Sequence, residues 1–155
     1  MTNSFLIRSR VIRTLVFVLA SSLAGFASVI GTFDRSFQVS GPVDLEVLTR
    51  SGDITVRNGA AGTVSIHAKI HSGNSWFGGD HKQEVQELQN NPPIRQNGNS
   101  IRIDYVNLNN ISIDYEITVP ENTAVRAHTG SGNQDVEGLK GNIDRPTHSG
   151  DQYCP

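Results

Sequence analysis

The stretch ISIDYEITV, residues 111–119, alternates apolar and polar side chains along its whole length. This period of two is typical of a β-strand that buries one face and exposes the other to water. The same alternation recurs at residues 43–47, 63–70 and 101–105. Half-exposed strands of this kind are usual in antiparallel sheets. The sequence therefore predicts an all-β protein of mainly antiparallel strands, arranged as a sandwich or as solenoid-like strand repeats, with one short inserted helix.

The strands at 100–105 and 111–119 are separated by the Asn-rich segment 106–110, which predicts a hairpin. A register centred on Leu108 places Arg102 opposite Asp114 and keeps like charges apart. We therefore expect an exposed Arg102–Asp114 ion pair, which contributes little because water screens it. The alternation also places Tyr105 on the buried face of its strand.

One segment departs from the β pattern and predicts the helix, over residues 81–90. Asp80 can cap its start, and Val85 and Leu88 lie three apart on one face. Pro92 and Pro93 prevent its continuation.

The first 27 residues have the pattern of an export signal. A basic start is followed by an apolar stretch from Leu15 to about Ala27, which is short and interrupted by Ser21, Ser22 and Gly25. This arrangement predicts a signal peptide over residues 1–27, cleaved after Ala27, and a single domain over residues 28–155. The alternative is an uncleaved N-terminal anchor. Export implies a periplasmic, outer-surface or extracellular location, with no stable membrane span after cleavage.

Composition excludes several classes of function. The 155-residue chain has 13 Lys and Arg against 15 Asp and Glu, with a net charge of −2. Nucleic-acid binding, which needs a clustered basic surface, is therefore not expected. A single cysteine excludes an internal disulfide framework and a cysteine-based zinc site.

A short motif recurs along the chain: SGD at 51–53, SGN at 131–133 and SGD at 149–151. The first two copies are each followed by a short strand and a Gly-x-x-Gly turn, at 59–62 and 138–141. This order predicts repeated units of turn, strand, turn and strand.

Four parts of the chain together resemble a known family. They are FQVSGPVDL at 37–45, the Ser-Gly-Asp turns, NPPI at 91–94 with NGNSI at 97–101, and YEITVP at 115–120. This ordered set is similar to the bacterial β-strand-repeat domains labelled putative adhesins, and it covers about residues 33–145. The resemblance implies a stack of short strands, export to the envelope and no known catalytic residues. Members of such families usually continue through further repeats. The third copy here is unfinished, which predicts a relative truncated at its C-terminus or a frameshifted reading frame.

Candidate chemistry from the residues themselves is sparse. His67 and His71 share a strand face but stand about 13 Å apart, too far to ligate one ion, so no metal site and no cofactor are expected. The carboxylates Asp104, Asp114 and Glu116 are predicted to share a face and could be proposed as a glycoside-hydrolysing pair.

The binding candidates are Trp76 and Phe77, which follow a Gly-containing segment and precede Gly78-Gly79. An exposed aromatic pair on such a loop can stack against a sugar or a partner's side chain, although packing of the two residues over the helix, as a lid on the sheet, is the favoured alternative. We therefore expect an exported, non-catalytic, adhesin-like binding or structural module of the bacterial cell envelope. Its expected partner is an envelope glycan or a surface protein. The alternatives are a carbohydrate-active enzyme using strand-face carboxylates, and a truncated relative with no independent function.

Overall fold

The computed structural model of the protein describes residues 28–73 and 82–144. The strands form two five-stranded sheets, accompanied by one helix. In chain order the elements are β1 (Ser28–Gln38), β2 (Val43–Thr49), β3 (Ile54–Asn58), β4 (Thr63–Ser72), α1 (Lys82–Asn90), β5 (Ile94–Asn97), β6 (Ser100–Ile103), β7 (Ile111–Val119), β8 (Thr123–Thr129), β9 (Gln134–Glu137) and β10 (Ile143–Asp144).

Both sheets are mixed, so the prediction of mainly antiparallel strands is wrong. The first sheet has the order β1-β4-β7-β3-β9, and β3 runs parallel to both of its neighbours. The second sheet has the order β10-β8-β2-β6-β5, and β2 likewise runs parallel to both neighbours. Among the residues that the structure describes, antiparallel pairing is confined to β1–β4, β4–β7 and β5–β6. Alternation in a sequence reports which face of a strand is buried, and it carries no information about the direction of the neighbouring strand.

The parallel strands are organised as three stacked layers. Each layer consists of a strand of the second sheet, a corner where the chain changes sheets, and a strand of the first sheet. The layers are β6–β7, β2–β3 and β8–β9, with corners at residues 104–110, 50–53 and 130–133. The β2–β3 layer lies between the other two, although it comes first in the chain.

The alternating residues form the core, as the sequence predicts. Leu45 of β2, Ile66 of β4 and Ile117 of β7 are all 1% exposed or less, and the buried residues of both sheets belong to one cluster. The two sheets therefore pack face to face as a sandwich. Tyr115 is fully buried, and its ring meets Phe33 edge to face with the centroids 6.4 Å apart. Burial raises the pKa of the Tyr115 hydroxyl, which keeps it uncharged.

The predicted hairpin between residues 100–105 and 111–119 is also wrong. The strand β6 ends at Ile103, and the chain then crosses from the second sheet to β7 in the first. Arg102 consequently pairs with Glu46 and Asp104 instead of Asp114. Tyr105, predicted to be buried, is 47% exposed because the strand has ended before it.

The predicted helix is confirmed and begins at Lys82, with Val85 and Leu88 buried. It packs against β1, the edge strand of the first sheet. A Cβ at Gly31 of β1 would lie 2.6 Å from a Val85 methyl group, so the absence of a side chain permits this close approach. The Gln89 side chain donates a hydrogen bond to the Thr32 carbonyl at 2.8 Å, which partly covers the edge of the sheet. The predicted cap, Asp80, lies outside the described residues.

The division into a signal peptide over 1–27 and a domain over 28–155 stays a prediction, since residues 1–27 are not described. Within the ranges 28–73 and 82–144, the structure contains no helix long and apolar enough to cross a membrane.

Candidate functional site

The corners of the stacked layers hold one another through main-chain and carboxylate hydrogen bonds. The Ser51 and Asp53 carbonyls accept from the nitrogens of Ile113 and Tyr115 in the layer on one side. On the other side, the nitrogens of Gly52 and Ile54 donate to the corner at residues 130–133. The repeated Ser-Gly-Asp motif therefore marks positions where one layer is aligned on the next.

Glycine is required at the centre of both Ser-Gly corners. Gly52 and Gly132 adopt φ values of +120° and +139°, which side chains rarely tolerate. A Cβ on Gly132 would also lie 2.2 Å from the Gly52 carbonyl oxygen, and one on Gly52 would lie 2.2 Å from the Ile113 oxygen. Both corners are therefore limited to glycine by conformation and by the closeness of the neighbouring layer.

A cleft of about 410 Å³ opens between the corner at 50–53 and the longer corner at 104–110. We call it the corner cleft. Polar and apolar surface contribute about equally to its lining, and none of the described residues that line it is a carboxylate. The lining residues are Arg50, Ser51, Gly73, Leu108, Asn109, Asn110, Ile111 and Ser112.

Arg50 organises one wall of the corner cleft. Its Nη1 atom donates to the side-chain oxygens of Asn107 at 3.2 Å and Asn109 at 3.4 Å. Each asparagine accepts through its oxygen and keeps its NH₂ group as a donor. Arg50 and Asn109 line the cleft, and Asn107 is held beside them by its bond to Arg50, so donors from three side chains gather at this wall.

Asn110 fixes the course of the chain at the base of the corner cleft. It has a φ of +59°, a left-handed conformation that asparagine tolerates better than most residues. Its carbonyl oxygen accepts a hydrogen bond from the nitrogen of Gly73 at 2.9 Å. The end of β4 and the start of β7 are thereby joined beneath the cleft.

The surroundings of Arg50 differ from those of other arginines in the chain. Each of four others lies within 4 Å of a carboxylate: Arg57, Arg95, Arg102 and Arg126. Arg35 donates to main-chain carbonyl oxygens. Within residues 28–73 and 82–144, Arg50 contacts no carboxylate and is exposed. The corner cleft therefore carries a positive charge that no acidic side chain of the described chain neutralises.

An exposed aromatic side chain, Tyr105, lies close in sequence to the arginine wall. The Tyr105 ring stands edge-on to His128, with the centroids 6.3 Å apart, on the outer side of the second sheet. His128 pairs with Leu48 across the β2–β8 ladder, and Leu48 is two residues before Arg50. Tyr105 is likewise two residues before Asn107. The exposed tyrosine and the arginine wall therefore belong to the same two chain segments.

Trp76 and Phe77, the sequence-predicted binding candidates, lie outside the described residues. The described chain stops at Gly73, which lines the corner cleft, and resumes at Lys82. Their role as binding residues stays a prediction.

The carboxylates proposed for catalysis are not brought together on one face, so that part of the prediction is wrong. Asp104 follows β6 of the second sheet, whereas Asp114 and Glu116 lie on β7 of the first. The hydrogen bond from Arg102 and the charge of Arg95 lower the pKa of Asp104. The hydrogen bond from Lys69 lowers the pKa of Glu116. Both carboxylates therefore favour the ionised form.

The strand-face histidines each contact a separate carboxylate. Nδ1 of His67 lies 2.7 Å from Asp34, and Nε2 of His71 lies 2.8 Å from Asp114, although neither ring nitrogen of His71 has a hydrogen-bond partner of good geometry. The ranges 28–73 and 82–144 contain no group of three or more His, Cys, Asp or Glu residues placed to hold a metal ion.

The candidates predicted from the sequence do not include Arg50, Asn107 or Asn109. A signal was present in the asparagines concentrated at 107–110 and in an arginine directly before the first Ser-Gly-Asp motif. The predicted hairpin at 106–110 hid this signal, because a hairpin there gives no reason to expect these asparagines close to Arg50.

Comparison with known proteins yields one distant likeness. No protein-family model matches the chain, and no curated protein matches it. The resemblance to the strand-repeat adhesin family is therefore not confirmed. A solved structure from Clostridium sporogenes, described as a "putative cell adhesion protein", matches with a TM-score of 0.47 and 12% identity. The match covers 75% of this chain and 57% of that one, so the present chain spans little more than half of that protein's length.

Proposed function

We propose that the protein is an exported, non-catalytic, adhesin-like binding module of the bacterial cell envelope. Its partner is an envelope glycan or a surface protein, held in the corner cleft. The observation that carries this proposal is the wall formed by Arg50, Asn107 and Asn109, where donors and a positive charge gather beside no carboxylate of the described chain. In a chain of net charge −2, this arrangement favours a ligand that brings its own acceptors.

The outer face of the second sheet supports the choice of the corner cleft over the strand faces. Arg126 pairs with Asp44 at 3.1 Å, and Arg102 pairs with Glu46 at 2.5 Å. Because these arginines are already neutralised by carboxylates on adjacent strands, they would gain less binding energy from an external partner. The corner cleft offers an unneutralised charge on a scaffold of stacked strands.

A carbohydrate-active enzyme is the less favoured function. Glycoside hydrolysis requires one carboxyl group that is kept protonated to act as the acid. Arg102 lowers the pKa of Asp104, and Lys69 lowers that of Glu116, which is the opposite of what an acid catalyst requires. Their positions in different sheets also separate them.

A retention experiment tests the proposed function. Purified full-length protein would be immobilised and exposed to peptidoglycan, lipopolysaccharide, teichoic acid, capsular polysaccharide and matrix proteins. We expect at least one component to be retained by the wild-type chain and by Arg126→Gln, whose arginine lies outside the cleft, and to be lost with Arg50→Gln. No products of hydrolysis should appear during the incubation. Equal retention by both variants would remove the corner cleft from the proposal, and released sugars would favour the enzyme.

A further inference from the structure

We infer that the corner cleft binds a saccharide that carries a carboxylate, with Arg50 on the carboxylate and the amide of Asn109 on hydroxyls. This inference rests on the proposed function and names the class of ligand.

The carboxylate part of the inference rests on the geometry of Arg50. A guanidinium group offers five N–H donors in a rigid fork that matches a carboxylate. Only Nη1 is engaged by the asparagines, and no contact within the described chain occupies Nε or Nη2. Arg57, Arg95, Arg102 and Arg126 each meet a carboxylate of this chain, so a carboxylate from the ligand would give Arg50 the same kind of partner.

The saccharide part rests on the other groups in the cleft. Beyond Arg50, the polar lining is neutral and combines donors with acceptors: the amides of Asn109 and Asn110 and the hydroxyls of Ser51 and Ser112. Neutral groups of both kinds suit a ligand rich in hydroxyls. A strongly anionic ligand such as a phosphopeptide or a nucleotide would be expected to meet several cationic side chains instead.

The size of the cleft fits the same class. The volume of about 410 Å³ lies within the range of roughly 300–1,000 Å³ that is usual for small-ligand sites.

The test compares acidic saccharides with an uncharged ester and with an acidic peptide. Binding of the full-length protein to tetragalacturonate, tetraglucuronate and a sialyl-oligosaccharide would be measured by calorimetry, beside the methyl ester of tetragalacturonate and a tetraglutamate peptide. We expect at least one acidic saccharide to bind, and loss of a charge-assisted hydrogen bond to weaken binding roughly ten- to a hundredfold. Where tetragalacturonate binds, its ester should show that loss. The peptide should bind more weakly than the acidic saccharide.

Three variants assign the effect to the corner cleft. Arg50→Gln should show the same loss as esterification. Asn109→Asp, which is isosteric, should also lose binding, because it supplies Arg50 with a carboxylate from the protein itself. Arg57→Gln, on the first sheet, should bind like the wild type and serves as the matched control. Circular dichroism of each variant separates lost binding from lost folding, and the isosteric variant keeps the test decisive if Arg50→Gln does not fold.

Several outcomes would overturn the inference while leaving the proposed function intact. These are failure of all three acidic saccharides to bind, equal binding of the ester and the acid, wild-type binding by Asn109→Asp, or preference for the peptide, provided that an envelope component is still retained through Arg50. If no envelope component or matrix protein is retained by the wild-type chain, the proposed function itself fails.

Discussion

Oδ1 of Asp53 accepts a hydrogen bond from the main-chain nitrogen of Asn133 at 2.8 Å, and Oδ1 of Asp114 accepts one from the nitrogen of Asp53 at 2.9 Å. The same kind of side chain therefore joins two successive pairs of layers. Each bond satisfies an N–H group where the chain turns between sheets, in addition to the strand ladders. Asn133 lies at the corresponding corner of the third layer, β8–β9.

Removing the carboxylate of Asp53 should weaken the contact between the β2–β3 and β8–β9 layers. We expect Asp53→Ala to lower the free energy of unfolding by about 1–2 kcal/mol, since a hydrogen bond to a charged group is lost. Asp53→Asn keeps a side-chain oxygen as an acceptor and should cost less. Urea unfolding of the two variants measures both values. Equal stability of Asp53→Ala and the wild type would show that this hydrogen bond contributes nothing to the free energy of unfolding.

Substituting the corner glycine Gly132 should be far more damaging than substituting an exposed turn glycine. Gly132→Ala combines a φ of +139° with a collision against the Gly52 carbonyl oxygen, and we expect a cost of roughly 3 kcal/mol or more. Gly98→Ala has a φ of +60° but nothing within 4 Å of the new methyl group, so about 1 kcal/mol is expected. Similar losses for both variants, measured by urea unfolding, would contradict the steric argument.

The contribution of Asp104 should depend on pH. Arg102, followed by Arg95, lowers its folded-state pKa below the value of about 3.9 expected in the unfolded chain. The stabilisation is therefore complete above about pH 4 and is lost as the pH falls through the lowered folded-state pKa. Asp104→Asn should be less stable than the wild type at pH 7, and the difference should shrink below pH 4. A constant difference from pH 7 to pH 2 would oppose this assignment.

Export predicts a shortened mature chain. If residues 1–27 are removed after Ala27, protein recovered from the envelope or medium of an expressing bacterium should begin at Ser28. N-terminal sequencing of that fraction measures this directly. A chain that begins at Met1 in the membrane fraction would favour the uncleaved anchor.

The β2–β3 layer lies between two others, so the described part of the chain should unfold cooperatively. Thermal unfolding followed by far-UV circular dichroism should give one transition. A gradual loss of signal would favour the alternative that the chain is a truncated relative without independent function.

The buried faces of the alternating strands could be predicted from the sequence, but the strands that pair with them could not. The alternation of Val43, Leu45 and Val47 correctly predicted which side of β2 faces the core. The same alternation was compatible with either strand direction, and sequence proximity made β6 and β7 look like a hairpin. Their assignment to separate sheets depends on contacts with β2 and β4, which are distant in the sequence.

The repeated motif contained information about strand direction that the alternation lacked. Gly52 and Gly132 stack because each follows a strand in the same direction and turns in the same way. The corner cleft could not be predicted to the same extent, because Arg50 and Asn107 meet only when the β6–β7 layer is placed beside β2–β3. The sequence contains the arginine and the asparagines of the cleft wall, but it does not show that the fold brings them together.

The position of the β2–β3 layer has a kinetic consequence. Glu46 of β2 meets Arg102 of β6, 56 residues later, and Asp44 meets Arg126 of β8, 82 residues later. Both neighbours of β2 therefore have to be brought from far along the chain, and a high contact order slows folding to roughly milliseconds to seconds. Until β6 and β8 arrive, both edges of β2 remain unpaired and open to strands of other chains. Refolding at high protein concentration should therefore favour aggregation, and it should proceed best in dilute solution.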